Sequence, residues 1–121
     1  MTVTVRPPID ADADGMGSVH VRAWQSAYVG LMPAEYLSSL SVTDRATMWR
    51  RTLAQPSRSG TSRFVAVEPN GTVGGFAAVG PEAGDEGASL GELYVMNVDP
   101  DMWGTGAGSA LHRSALAALN D

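Results

Sequence analysis

Gly91-Glu92-Leu93-Tyr94-Val95-Met96-Asn97-Val98-Asp99-Pro100-Asp101-Met102-Trp103-Gly104-Thr105-Gly106-Ala107-Gly108-Ser109-Ala110-Leu111 is the most informative stretch of this 121-residue chain. Its first part reads as the end of a strand running from Ser89 to Val98. Asp99-Pro100 ends that strand, because proline cannot donate to a ladder and the residue before it avoids the helical region. Three alternating glycines follow, and a helix is expected from Thr105 to Leu119 with Ala110, Leu111, Ala115, Leu116 and Leu119 on one face. With no side chains at Gly104, Gly106 and Gly108, backbone N–H groups can approach an anion closely. The helix start adds unpaired amides and the positive end of a dipole. A hydrogen bond to a charged group is worth about 1.5–3 kcal/mol, so several such amides can hold a diphosphate without a cationic side chain. That matters in a chain with no lysine.

Two familiar phosphate motifs do not fit. A P-loop needs a lysine followed by Ser or Thr after its last glycine, and this chain has no lysine. A dinucleotide fingerprint is G-x-G-x-x-G, with an acidic residue about 20 positions further on. Here the spacing is G-x-G-x-G, and the chain ends at Asp121 before such a position is reached. A purely structural glycine loop ahead of an alanine-rich core helix remains open on the residues alone.

Upstream, the period of the apolar residues changes twice. Thr2 to Val5 alternates as a short strand that Pro7 and Pro8 terminate. Asp10 can cap a helix carrying Met16, Val19, His20, Ala23, Trp24, Ala27, Tyr28 and Leu31, whose start Gly15 and Gly17 weaken. Pro33 can open a short second helix toward Leu40, and Ser41 with Asp44 signals the start of a third. After a loop from Gln55 to Ser62, Phe64–Val67 and Thr72–Val79 read as a hairpin around Glu68-Pro69-Asn70-Gly71. Gly80 to Ala88 forms a second loop. The order is strand, two or three helices, hairpin, strand, helix: an α/β chain of one domain over residues 1–121, with no internal repeat.

Composition narrows the function classes. All 8 basic residues are arginine, against 13 acidic ones, for a net charge of −5. Such a chain lacks the clustered positive charge that duplex nucleic acid or an anionic membrane requires. The absence of cysteine excludes disulfides, thiolate metal sites and a cysteine nucleophile. Neither a signal peptide nor a membrane span is readable, so a cytoplasmic location is expected. His20 and His112 lie far apart with no carboxylate cluster at ligand spacing, so no metal is expected and both read as helix residues. Trp24, Tyr28 and Trp49 fall at helical spacing and read as core, with a place bordering a cleft as the alternative for the first helices; Arg50-Arg51 reads as a solvated helix face.

The glycine segment resembles the acyl-CoA diphosphate loop of GNAT-superfamily N-acyltransferases, whose pattern is Gln/Arg-x-x-Gly-x-Gly/Ala. Gly106 and Gly108 match its two small positions, while Trp103 stands where Gln or Arg is usual. The run His20-Val21-Arg22-Ala23-Trp24-Gln25-Ser26-Ala27-Tyr28-Val29-Gly30-Leu31-Met32-Pro33 is similar to the first helical region of a bacterial branch of the same superfamily, and nearly the whole chain is covered. The resemblance implies the first part of that fold. It also implies acetyl-CoA as cosubstrate, a small amine or a protein amine as acceptor, and diphosphate contacts from Gly104, Thr105, Gly106, Ala107, Gly108 and Ser109. In the family the strand before the loop bulges and offers its backbone to the pantetheine arm, a role that falls by position to Met96, Asn97 and Val98.

An alkylamine with a pKa near 10 is only about one part in a thousand deprotonated at neutral pH, so a base is needed. Glu92 stands four residues before Met96 on the same strand, where the resemblance implies a general base; a solvent-facing strand carboxylate is the plain alternative. Under regular pleating it shares a face with Tyr94 and Met96, which a bulge would alter. The family continues past the glycine-loop helix with a further strand, a helix bearing a tyrosine acid and usually two more strands. This sequence therefore reads as C-terminally incomplete, with a homodimer or partner strand as one way to complete the sheet. Two functions stay open at this point: an N-acetyltransferase acting by direct attack, and a non-catalytic fragment or interaction module that keeps the loop.

Overall fold

The computed structural model describes residues 3–55, 61–81 and 91–119. Four strands form one sheet in the order β1-β2-β3-β4, with β1 at Thr4–Arg6, β2 at Ser62–Val67, β3 at Val73–Pro81 and β4 at Gly91–Val98. Every pairing between these strands is antiparallel. Helices α1 (Ala13–Ala27), α2 (Ala34–Ser39) and α3 (Val42–Ala54) separate β1 from β2, and α4 (Ala107–Leu119) follows β4. The expected order is therefore found, with three helices after β1 and strand limits within two or three residues of the reading above. Gly80 and Pro81, expected to open a loop, instead extend β3, and Ser62 starts β2; the rest of the loop expected at 80–88 and most of that at 55–62 lie outside the described residues.

Local signals explain the element ends. Ser41 Oγ accepts the Asp44 N–H at 3.1 Å, which supplies the cap expected for α3 and contributes about 1 kcal/mol. In the hairpin, Gly71 N–H donates to the Glu68 carbonyl and Thr72 N–H to the Asn70 side chain. The N-terminus of α1 is built differently from expectation. A 3-10 turn at Asp10–Asp12 precedes it, and the anchor is Asp12, not Asp10. Asp12 Oδ2 accepts the Ile9 N–H at 2.7 Å and the carboxylate takes both Arg6 nitrogens at 2.8 and 3.1 Å. That arrangement ties the end of β1 to the start of α1. The Arg6 guanidinium, ahead of the Ile9 amide, holds the buried Asp12 carboxyl below the usual range.

Two cores lie on opposite faces of the sheet. On one, α1 and α3 bury Ala13, Met16, Val19 and Trp49 against Val65 and Phe76. Gly17 makes this possible: a Cβ there would stand 2.6 Å from the backbone nitrogen of Ala46, so only glycine lets α1 and α3 meet so closely. On the other face, α4 buries Leu111 against Ala66 and Ala77. The buried stripe of α4 is Ala107, Leu111 and Ala115, one residue every four. Leu116, expected on that face, is instead 47% exposed, because one further residue turns the helix about 100° away from the sheet. Leu119's side chain lies outside the described residues. Among the described residues, no helix is long and apolar enough to cross a membrane.

Candidate active site

The site is assembled where β4 hands over to α4. Asp99 carries the chain off the sheet: its N–H still donates to the Gly74 carbonyl on β3, while its side chain accepts the Asp101 N–H and starts a 3-10 turn at Pro100–Met102. From that turn the backbone enters the left-handed region twice, at Gly104 (φ 79°) and Gly106 (φ 94°), conformations that cost other residues about 1–2 kcal/mol. A Cβ at either position would meet nothing within 4 Å. These glycines are present for their backbone angles, and the space above them is open.

Where the amides go decides what the loop can do. Trp103 N–H donates to Pro100 O, Thr105 N–H to Met102 O and Ala110 N–H to Gly106 O. No hydrogen bond among the described residues engages the N–H of Gly104, Gly106, Ala107, Gly108 or Ser109. Four of these amides, at Gly104, Gly106, Gly108 and Ser109, belong to residues that line the adjoining cleft and are thus available to an anion, whereas Ala107, expected to join them, is fully buried and lines no part of it. Thr105 is the exception, since its hydroxyl also donates to Met102 O, at 2.6 Å. It closes the turn and does not line the cleft.

That cleft, of about 630 Å³, runs between α1 and the β4–α4 junction. Its α1 wall is Ala23, Trp24, Ala27 and Tyr28; opposite stand Met96, Asn97 and Val98, with Gly104, Gly106, Gly108 and Ser109 at the loop. Trp24 and Tyr28 are thus cleft residues, meeting edge to face at 5.0 Å between centroids, whereas Trp49 is core as expected. Asn97 Nδ2 is buried without a partner among the described residues. Trp103 is 53% exposed, yet its indole N–H donates to the Val98 carbonyl at 2.9 Å and pins the loop to the strand end. A side chain in place of the usual Gln or Arg here acts on the protein's own backbone.

β4 ends the sheet, and no described strand covers its outer edge. Its ladder with β3 slips between Val95, opposite Ala78, and Leu93, opposite Val79, so Tyr94 is the extra residue of a bulge. The bulge breaks the two-residue alternation between Glu92, which pairs with Gly80, and Met96, which pairs with Ala77. The Glu92 side chain lies outside the described residues.

Comparison with known proteins bears on the same segment. The profile of the acetyltransferase (GNAT) family matches residues 23–121, from the α1 wall of the cleft through the glycine loop and α4. The chain belongs to the GNAT acetyltransferase family. It is 35% identical over 109 residues to the uncharacterized N-acetyltransferase YuaI of Bacillus subtilis (strain 168), covering 90% of this chain and 60% of that protein. The PaiA N-acetyltransferase of Thermoplasma acidophilum, solved in complex with coenzyme A, superposes with a TM-score of 0.74 over 99% of this chain and 73% of its own, at 17% identity. A GCN5-related N-acetyltransferase from Kribbella flavida superposes with a TM-score of 0.69 at 25% identity, over 98% of this chain and 65% of its own. The chain therefore has the GNAT fold, and it spans about 60% of the length of its Bacillus relative.

Two contacts made by α1 beside the site were not readable from the sequence. Arg22, on α1, reaches Asp99 and Asp101, whose neighbours Val98 and Met102 line the cleft; its partners are 77 and 79 residues away. His20, one turn before Trp24, is packed among Trp24, Trp49 and Phe76. Burial, and secondarily the charge of Arg45, holds its imidazole below the ordinary pKa. His112 is exposed on α4. Among the described residues no group of three or more potential ligands could hold a metal.

Proposed function

We propose that this GNAT chain is an N-acetyltransferase that takes acetyl-CoA and passes its acetyl group to a primary amine by direct attack. The observation that carries the reading is the set of four unpartnered amides, at Gly104, Gly106, Gly108 and Ser109, on residues that line a cleft. Their lack of protein partners and the open space above Gly104 and Gly106 suit a diphosphate, and the arrangement requires no cationic side chain. On this reading Thr105 shapes the loop from within. The uncovered edge of β4 at Met96, Asn97 and Val98 offers backbone groups to the pantetheine amides and orients the thioester carbonyl. PaiA, solved with coenzyme A, supports the ligand class through its shared fold.

In the reaction the amine nitrogen bonds to the thioester carbon, the C–S bond breaks, and the thiolate leaves as coenzyme A. The amine's proton passes to a base, for which Glu92 on β4 is our candidate. The acceptor enters along the α1 wall, a small amine or a protein amine, and the expected setting is cytoplasmic.

The test is acetyl-CoA turnover with a panel of amines, read as release of free thiol. Turnover that falls at least tenfold in Glu92→Gln and recovers partly at high pH, as deprotonated amine accumulates, supports the assignment. Coenzyme A binding with no turnover under any condition would favour a non-catalytic binding module instead.

A further inference from the structure

Arg22 is placed where the two walls of the cleft can be tied together. It sits on α1 immediately before Ala23 and Trp24, which line the cleft. Its Nε–H donates to Asp99 Oδ2 at 2.8 Å, and its Nη2 donates to Asp99 Oδ1 at 3.3 Å and to Asp101 Oδ2 at 2.9 Å. One guanidinium thus spans both carboxylates of the turn that opens the glycine loop. A planar fork of this kind fixes direction as well as distance.

Asp99 passes that constraint into the backbone. Its N–H is held by Gly74 O on β3 at 2.8 Å, its Oδ1 accepts the Asp101 N–H at 2.9 Å, and its carbonyl accepts the Met102 N–H at 2.8 Å. Trp103 and Gly104 follow directly from this frame. As a source of overall stability the ion pair contributes little, since the Arg22 side chain is 45% exposed and that of Asp101 83%. Its effect is local, because it joins elements far apart in sequence at the site itself.

We propose that Arg22 is a positioning residue for the coenzyme: by clamping Asp99 and Asp101 it holds the diphosphate loop at one distance and angle from α1. The proposal rests on the reading of the loop as the coenzyme A diphosphate site. A purely electrostatic role makes different forecasts. Arg22 carries one positive charge against two carboxylates near an anionic ligand, so if charge alone mattered, Arg22→Lys would restore affinity and Asp99→Asn would tighten binding.

The experiment measures coenzyme A affinity by calorimetry for the wild-type chain, Arg22→Ala, Arg22→Lys, Asp99→Asn and Asp101→Asn. Hydrogen exchange of the amides from Asp99 to Gly106 is followed in the ligand-free proteins. We expect Kd to rise about tenfold in Arg22→Ala, the loss of roughly one charge-assisted contact's worth of alignment. Arg22→Lys should recover less than half of that in logarithmic terms, because an ammonium cannot reproduce the fork. Asp99→Asn should weaken binding although it removes a negative charge; Asp101→Asn should weaken it in the same direction but by less, since the Asp99 fork persists. Exchange should quicken at the hydrogen-bonded amides of Asp99, Asp101, Met102, Trp103 and Thr105 in Arg22→Ala while the melting temperature stays within a few degrees.

Wild-type affinity in Arg22→Ala with unchanged loop exchange would overturn the proposal, as would full rescue by lysine together with tighter binding in Asp99→Asn. If the wild-type chain shows no affinity for coenzyme A, the functional reading itself falls and the positioning role with it. That outcome is distinct from a wild type that binds and a variant that binds equally well.

Discussion

Gly15-Met16-Gly17 in α1 and Gly104-Thr105-Gly106 before α4 are the same G-x-G pattern put to opposite uses. The first pair has ordinary helical angles, and the space a side chain would fill is already taken: by Val73 Cβ at 2.8 Å for Gly15 and by the Ala46 nitrogen at 2.6 Å for Gly17. The second pair has positive φ and nothing within 4 Å. Glycine in α1 is therefore a packing requirement imposed by neighbours. In the loop it is a backbone requirement, and the emptiness around it is what a ligand could use.

That contrast can be broken at several strengths. The largest effect is expected for Gly106→Glu, which places bulk and negative charge in the open space. Coenzyme A affinity should fall about a hundredfold or more in calorimetry, while the circular dichroism spectrum is unchanged. Normal affinity in that variant would end the loop assignment. Gly17→Val should do the reverse. Overpacking against the Ala46 backbone should cost about 1–3 kcal/mol in urea denaturation, and any affinity for coenzyme A under folding conditions should persist. If Gly17→Val melts like the wild type, the close approach of α1 and α3 is wrong.

A finer comparison lies within the loop. Gly104→Ala must adopt a left-handed angle and should lose about 1–2 kcal/mol of stability. Gly108 has no positive φ, and its added Cβ would meet Val98 Cγ2 at an ordinary 3.6 Å, so Gly108→Ala should be neutral or stabilising by up to about 1 kcal/mol. Equal melting temperatures for the two variants would count against the distinction.

The smallest expected effect concerns pH. His20's folded pKa lies below its unfolded value near 6.5, so below that pH the unfolded chain binds the proton more readily. Stability should therefore decline as pH falls from about 6.5 until the folded imidazole also titrates. His20→Phe should flatten that segment of the denaturation profile. An unchanged slope would mean the imidazole is not buried among Trp24, Trp49 and Phe76.

Much of the site was legible because its signals are local. The Asp99-Pro100 stop, the alternating glycines and the following helix each depend on residues within a few positions, and the structure keeps all three in order. Ser41 and Asp44 are legible for the same reason. Less legible was the direction of each amide. Thr105 belongs to the glycine run by sequence, yet its N–H and hydroxyl both turn to Met102. The bulge at Tyr94 likewise depends on β3, so the spacing of Glu92 and Met96 along the strand does not decide whether they share a face.

The amino-acid sequence alone determined the element order, the cap of α3 and the strand-to-helix handover with its glycines. These follow from conformational preferences that a residue expresses among its nearest neighbours. Only the tertiary structure decided that Arg22 meets Asp99 and Asp101, that Gly17 admits Ala46, that Leu116 faces away from the sheet, and that Trp24 and Tyr28 wall a cleft. Each of those facts is a contact or a vacancy between segments tens of residues apart. Such relations exist only once the two faces of the sheet have been packed.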